Sequence, residues 1–211
     1  MLTLYLVRHG QTDCSKSSRY CGEIDVPLNS NGKAVAESLA EFYGGESWEA
    51  IYSSPKLRAR QTAAPLAEAT GLEVRIEEGL REIAYGDWDG LLERDVKERF
   101  PEEFRVWSAD PARNSPPGGE SAIEIAFRVV PVIEAIRHRH PAGKVIVFSH
   151  KATIRVLVCA LLGIDLSLFR ARVAQAVGAV TVFEFRETGP LLKVLNDQSH
   201  VPAELRKEEG S

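Results

Sequence analysis

The stretch Leu4-Tyr5-Leu6-Val7-Arg8-His9-Gly10-Gln11-Thr12 decides how this chain is read. Leu4 to Val7 are an unbroken apolar or aromatic run, the pattern of a buried strand. A guanidinium and an imidazole follow with no transition. Gly10 then lets the backbone turn sharply and lets a ligand approach closely. A strand that ends in Arg-His-Gly puts a bidentate anion binder and a nucleophile-capable ring at the carboxyl edge of a sheet. Open α/β sheets bind their ligands at that edge.

The same construction returns near the other end of the chain. Lys144-Val145-Ile146-Val147-Phe148-Ser149 is the strongest strand pattern in the sequence, and it ends in His150. It runs straight into a helix pattern with Ile154, Leu157, Val158 and Leu161 on one face. In a parallel sheet both strand ends lie on one edge, so the two imidazoles meet if the strands are neighbours. The helix that starts after His150 aims its N-terminus at the site, which favours an anion there.

Between these strands the pattern alternates. Residues 13 to 28 are polar and irregular, and Asn29 is an N-cap for a helix whose apolar face is Val35, Leu39 and Phe42. Ala50-Ile51-Tyr52 is a short strand. Leu57 to Thr70 is a helix that Pro65 is expected to kink or break, and Gly71 caps it. Leu72 to Ile76 is a short strand, Gly79 to Gly90 a loop, and Leu91 to Trp107 a helix interrupted at Pro101. A helix with Ala122, Ala126, Val129, Ile133 and Ile136 on its core face follows the Pro/Gly loop at 110–119. Val180 to Phe185 and Leu191 to Leu195 are late strands joined by Gly189-Pro190 as a hairpin. The alternation predicts an α/β fold: a three-layer α/β/α arrangement, its sheet mostly parallel with one antiparallel edge strand. Residues 1–200 are read as a single domain and 201–211 as a polar, frayed tail.

Composition narrows the function. Of 211 residues, 44% are hydrophobic and 27% charged, an ordinary globular balance. The net charge of -4 argues against nucleic-acid binding through a broad basic face, while leaving room for a few cations focused in a cleft. No apolar run approaches the roughly 20 residues that span a bilayer. The opening apolar run is too short for a signal peptide. The three cysteines, Cys14, Cys21 and Cys159, show no zinc-like spacing, so a reducing, cytoplasmic setting is expected. Cys14 and Cys21 read as small residues near the site, with a redox switch as the alternative.

A third strand-to-helix junction, Ser53-Ser54-Pro55-Lys56-Leu57-Arg58, offers Arg58 to the same edge, and Arg81-Glu82 opens the glycine-rich loop. Two arginines, two histidines and one carboxylate suit phosphoryl transfer. A phosphate monoester dianion is matched by two guanidinium groups with bidentate geometry. Nearby cations lower a histidine's pKa and keep it neutral, as a nucleophile must be. A protonated carboxyl can give its proton to the leaving oxygen and later take one from water. This chemistry requires no metal and no cofactor. His138 and His140 have metal-like spacing, but they sit at a polar helix end and are expected to be solvated.

Five ordered blocks carry a resemblance. They are Arg8-His9-Gly10, the run from Ser54 to Ala63, Leu80-Arg81-Glu82 with Tyr85-Gly86-Asp87-Trp88, Pro117-Gly118-Gly119-Glu120-Ser121, and Ser149-His150. Together they resemble the histidine phosphatase superfamily, which includes cofactor-dependent phosphoglycerate mutase. The resemblance implies a phosphoglycerate mutase-like fold with His9 as the phosphohistidine nucleophile. It implies that Arg8, Arg58 and His150 bind the transferring phosphoryl group and that Glu82 is the acid/base. Gly10, Ser15, Cys21 and Gly22 would line the phosphate and substrate pocket.

The loop after Glu82 and the turn at 116–121 are similar to the phosphatase branch rather than the mutases. Residues 97 to 198 resemble metal-independent phosphoserine phosphatases. The implied partner is therefore a small phosphorylated metabolite, phosphoserine favoured, with no nucleic acid and no membrane; a homodimer is implied by resemblance only. Two departures stand out. Cys14 and Ser15 fall where many members carry Asn, and Cys21 where Thr or Gln is common. Lys151 follows His150 where Gly is frequent and adds a charge beside the pocket, where it either binds substrate or points to solvent from the first helical turn. A mutase and a catalytically silent phosphate-ligand-binding protein are the rival readings. Trp88 and Tyr85 either wall the pocket or pack the loop, and His200 is a candidate for the pocket mouth.

Overall fold

The computed structural model describes residues 1–206. Its centre is a six-stranded sheet of β1 (Leu2–Arg8), β2 (Trp48–Ser53), β3 (Val74–Ile76), β4 (Gly143–Ser149), β5 (Val180–Arg186) and β6 (Gly189–Asp197), ordered β3-β2-β4-β1-β5-β6. The first four strands pair in parallel; β5 runs against β1 and turns back into β6, so the antiparallel pairing is gathered at that edge. The reversal falls at Glu187-Thr188, and Gly189-Pro190 already opens β6.

The apolar runs of β1 and β4 explain the three layers. Leu2, Leu4, Leu6, Val145 and Val147 face one core. That core is packed by α6 (Ala122–Arg139), α7 (Lys151–Leu162) and α8 (Phe169–Arg172). Val7, Ile146 and Phe148 face the other core, against α2 (Ser30–Tyr43) and α3 (Leu57–Thr70). Successive side chains of a strand point to opposite faces, so a strand covered on both sides reads as continuously apolar. Phe148 is wholly buried, and truncating a phenylalanine of this kind costs about 3–5 kcal/mol.

Several local expectations change. Asn29 does cap α2, its side chain accepting from Gly32 N–H at 3.0 Å. On α2, however, Tyr43 rather than Phe42 packs the core, and Phe42 is 58% exposed. Helix α3 runs unbroken through Pro65, because its Ala59, Ala63 and Leu66 are held in the core on either side of the missing N–H. The irregular stretch after β1 contains a single helical turn, α1 (Asp13–Lys16), closed by a capping box between Thr12 and Ser15.

Two short helices, α4 (Glu93–Arg99) and α5 (Pro101–Ala109), meet where Pro101 was expected to interrupt a longer one. They enclose a small aromatic cluster of Trp88, Val96 and Trp107, which Tyr20 and Tyr85 join. Beyond residue 200 the chain stays packed, with Val201 buried and Arg206 donating to the carbonyls of Val201 and Ser199. Residues 207–211 of the expected frayed tail lie outside the described residues.

Candidate active site

Register places the two histidines side by side. Arg8 pairs with Ser149 across β1 and β4, so His9 and His150 follow directly past the paired strand ends. Their ring centroids lie 5.1 Å apart at 61°. His9 N–H donates to the Ser149 carbonyl at 3.0 Å, which fixes the chain as it leaves the sheet.

His9 is buried, and its Nδ1 lies 2.7 Å from the Gly10 carbonyl oxygen. A carbonyl only accepts, so Nδ1 carries the proton and Nε2 carries the lone pair. Burial first, then Arg58 and Arg8, hold the His9 pKa well below 6.5. Gly10 is tied by its N–H to Thr62 Oγ1 at 3.0 Å. A Cβ at Gly10 would come within 2.5 Å of the Gly32 carbonyl oxygen, so no larger residue fits there.

Arg8 Nη1 donates to the Gln175 carbonyl at 2.8 Å. Burial lowers its pKa to about 10, and nearby Glu82 works against that shift. Arg58 is buried at the first turn of α3. Its Nε donates to His150 Nδ1 at 3.2 Å, and its Nη atoms donate to the carbonyls of Ile24, Cys21 and Gly22 at 3.0 to 3.2 Å. With Nδ1 accepting, His150 Nε2 is the protonated nitrogen and donates to Ser54 Oγ at 2.7 Å. Burial, Arg58 and His9 hold the His150 pKa well below 6.5.

Glu82 sits under the start of α7. Its Oε1 accepts from the N–H groups of Ile83 and Thr153 at 3.0 and 3.2 Å, and its Oε2 from Ala152 N–H at 3.3 Å. The helix N-terminus therefore grips the carboxylate. Arg81, its neighbour, turns away to a 2.6 Å ion pair with Glu120. Arg128 reaches from α6 to donate to the carbonyls of Gly79, Arg81 and Glu82, holding the loop that carries Glu82.

A depression of about 50 Å³ is lined by Arg8, His9, Arg58, Glu82 and Lys151, together with Ser15, Cys21 and Tyr85. The residues expected at the site thus converge, with exceptions in detail. Cys14 and Cys21 are joined by a disulfide, which overturns their reading as small free residues. Ser15 lines the pocket, but its hydroxyl donates to the Thr12 carbonyl within the capping box. Gly22 supports the site through its backbone, where a Cβ would fall 1.9 Å from the Ile83 carbonyl oxygen.

Tyr85 walls the pocket, whereas Trp88 is buried in the aromatic cluster. His200 lies elsewhere, its ring against Tyr43 and Phe42. His138 and His140 bind no common partner: His138 bonds the Glu134 carbonyl, while His140 meets Tyr52 Oη and so is not simply solvated.

Other contributors lie outside the expected set of site residues. Asp89 accepts from the N–H groups of Gly22 and Ile24 at 2.6 and 2.8 Å, clamping the segment whose carbonyls hold Arg58. Ser54 and Thr62 position His150 and Gly10. The positions of Ser54 and Thr62 beside Arg58 were a usable signal; Asp89 gave none.

Known proteins resemble this chain. A family model of the histidine phosphatase superfamily (branch 1) matches residues 4–198. Phosphoserine phosphatase 1 of Hydrogenobacter thermophilus is 41% identical over 169 residues, covering 80% of each chain. Glucosyl-3-phosphoglycerate phosphatase of Mycobacterium tuberculosis is 35% identical over 167 residues, covering 75% of this chain and 74% of its own. Among solved structures, the mycobacterial glucosyl-3-phosphoglycerate phosphatase in complex with VO3 superposes with a TM-score of 0.85 at 32% identity, covering 93% of this chain and 99% of that one.

Proposed function

The chain belongs to the histidine phosphatase superfamily and is a phosphoric monoester hydrolase, and from that premise we propose that it hydrolyses a small phosphorylated metabolite through a phosphohistidine formed on His9. The observation that carries this reading is the His9 imidazole itself. Its Nδ1 is committed to the Gly10 carbonyl, and burial, then Arg58 and Arg8, hold it neutral.

In this mechanism His9 Nε2 attacks phosphorus and the bond to the leaving oxygen breaks. Glu82 hands that oxygen a proton. Water then attacks the phosphohistidine, with Glu82 taking its proton, and phosphate leaves. Arg8 and Arg58 bind the transferring group and supply the positive charge that a metal ion supplies in other phosphatases; in this reading His150 joins them by giving up its Ser54 hydrogen bond and turning that Nε2–H to a phosphoryl oxygen. The rate gain comes from positioning and preorganised charge.

Phosphoserine is the favoured substrate, supported by the 41% identical relative that bears that name. The reading includes a cytoplasmic setting, in which the Cys14–Cys21 pair would exchange with the cell's thiol pool.

The test is phosphate release with EDTA present, over L-phosphoserine, 3-phosphoglycerate, sugar phosphates and p-nitrophenyl phosphate. One natural ester is expected to dominate, and His9→Ala should abolish its turnover. A His9→Ala protein that kept most of its activity would overturn the mechanism. Sustained isomerisation of 3-phosphoglycerate with little phosphate release would make the chain a mutase instead.

A further inference from the structure

Beside the phosphoryl depression lies a second, larger cavity of about 100 Å³. The two share Arg19, Tyr85 and Lys151 as a common wall. The catalytic steps above use none of its other residues. Its floor and sides carry four cations: Arg19 from the segment after α1, Lys151 and Arg155 from α7, and Arg170 from α8. Lys151 and Arg155 are four residues apart on one helix, so they project from the same face. Arg170 lies over the Trp107 ring, 4.2 Å from its centroid, and Trp107 also lines the cavity.

Glu93 is the one carboxylate in the lining, and it is paired with Lys97 at 2.5 Å. A chain with a net charge of -4 has therefore gathered positive charge at this one place. Burial, then Arg8 and Arg155, push the Lys151 ammonium down to about 7. The lining also contains buried donors that no described protein group satisfies, Arg155 Nε and Trp107 Nε1. Buried donors are almost always paired, so such atoms beside a cavity mark a place for an acceptor.

We propose that this annex is a second anion subsite, in which Lys151, Arg155 and Arg170 hold a carboxylate carried by the leaving group of the phosphomonoester. A carboxylate is the acid compact enough to share a cavity of this size with the carbons that join it to phosphorus. Arginine meets it with a planar fork of donors. The inference rests on the phosphatase reading for the position of the phosphoryl group. It makes the enzyme selective for phosphorylated acids over equally sized neutral or amino alcohol phosphates.

Two ligand pairs that differ at the carboxylate test it: L-phosphoserine against phosphoethanolamine, and 3-phosphoglycerate against glycerol 3-phosphate. Dissociation constants are measured by calorimetry on the His9→Ala protein, which removes turnover. In each pair the carboxylate member should bind at least about tenfold tighter, a difference of about 1.4 kcal/mol. Arg155→Gln and Arg170→Gln, each added to that background, should shrink the preference severalfold. Arg170 is exposed, so its variant serves if Arg155→Gln does not fold.

Equal binding within both pairs overturns the proposal. So does a preference that survives both substitutions, or no binding by any of the four ligands. Phosphate release by the parent protein is measured separately. Its absence, with the carboxylate preference intact, would remove the phosphatase reading and leave the subsite.

Discussion

Arg58 Nε donates to His150 Nδ1 across 3.2 Å, and the same guanidinium holds three carbonyls of the segment between Cys21 and Ile24. One side chain thus fixes the tautomer of the second histidine, supplies positive charge beside the first, and closes one wall of the pocket. Lysine would keep the charge but lose the fork and the Nε donor. Arg58→Lys is therefore expected to lower kcat/KM by about 100-fold, close to the loss in Arg58→Ala, a cost of roughly 2.7 kcal/mol. Steady-state kinetics on the best ester decide it. A lysine variant near the parental rate would mean that charge alone matters.

His9 and His150 share a second consequence. Both pKa values lie well below 6.5 in the folded protein, burial being the first cause and Arg58 the second. The unfolded chain takes up protons on these rings below about 6.5, while the folded chain does not. Their contribution to stability is therefore complete above 6.5 and is lost as pH falls toward the folded values. Melting temperature of the ligand-free protein should drop between pH 7 and pH 5, and His9→Gln should flatten that slope. Thermal unfolding is the better readout, because a phosphate ester itself titrates near pH 6. A melting temperature that rose on acidification would contradict the electrostatics of the site.

The legibility of this site in the sequence followed its backbone. His9, His150 and Arg58 stand at strand ends and a helix start, where apolar periodicity stops, so their gathering on one edge follows from the order of elements. The annex cations could not be found that way. Arg155 looks like any charged residue on a helix, Arg170 lies in a four-residue helix, and only the folded chain brings them beside Lys151. The disulfide was reachable only through the redox-switch alternative, since two cysteines seven positions apart have many alternatives to pairing. Phe42 was misplaced because helical spacing gives an apolar face only to within one residue, and the core chose Tyr43.

Asp89 offers a test of support rather than contact. Its two oxygens accept from the N–H groups of Gly22 and Ile24, so it shapes the segment that in turn positions Arg58. Asparagine keeps one acceptor and alanine neither. Losing a charged acceptor from N–H groups at this wall costs about 1–3 kcal/mol. Asp89→Ala should therefore reduce kcat/KM by roughly 10- to 100-fold, and Asp89→Asn should fall between it and the parent. Equal losses in the two variants would assign the effect to charge, not to the second hydrogen bond.

The Cys14–Cys21 bond links the helical turn after the nucleophile to the carbonyl that accepts from Arg58. It closes a short loop, with a sequence separation of 7. A loop of that size removes unfolded-chain entropy worth roughly 2–3 kcal/mol. At roughly 2–4 °C per kcal/mol for a chain of this length, reduction should lower the melting temperature by roughly 5–10 °C. It should also raise KM, because the Cys21 carbonyl that accepts from Arg58 then loses its covalent tie to the helical turn after the nucleophile. The Cys14→Ser, Cys21→Ser double variant should melt where the reduced protein melts and ignore dithiothreitol. Mass spectrometry of the unreduced protein establishes that the bond is present before either comparison. With the bond present, a melting temperature and KM indifferent to dithiothreitol would mean that the capping box of Thr12 and Ser15 holds this loop by itself.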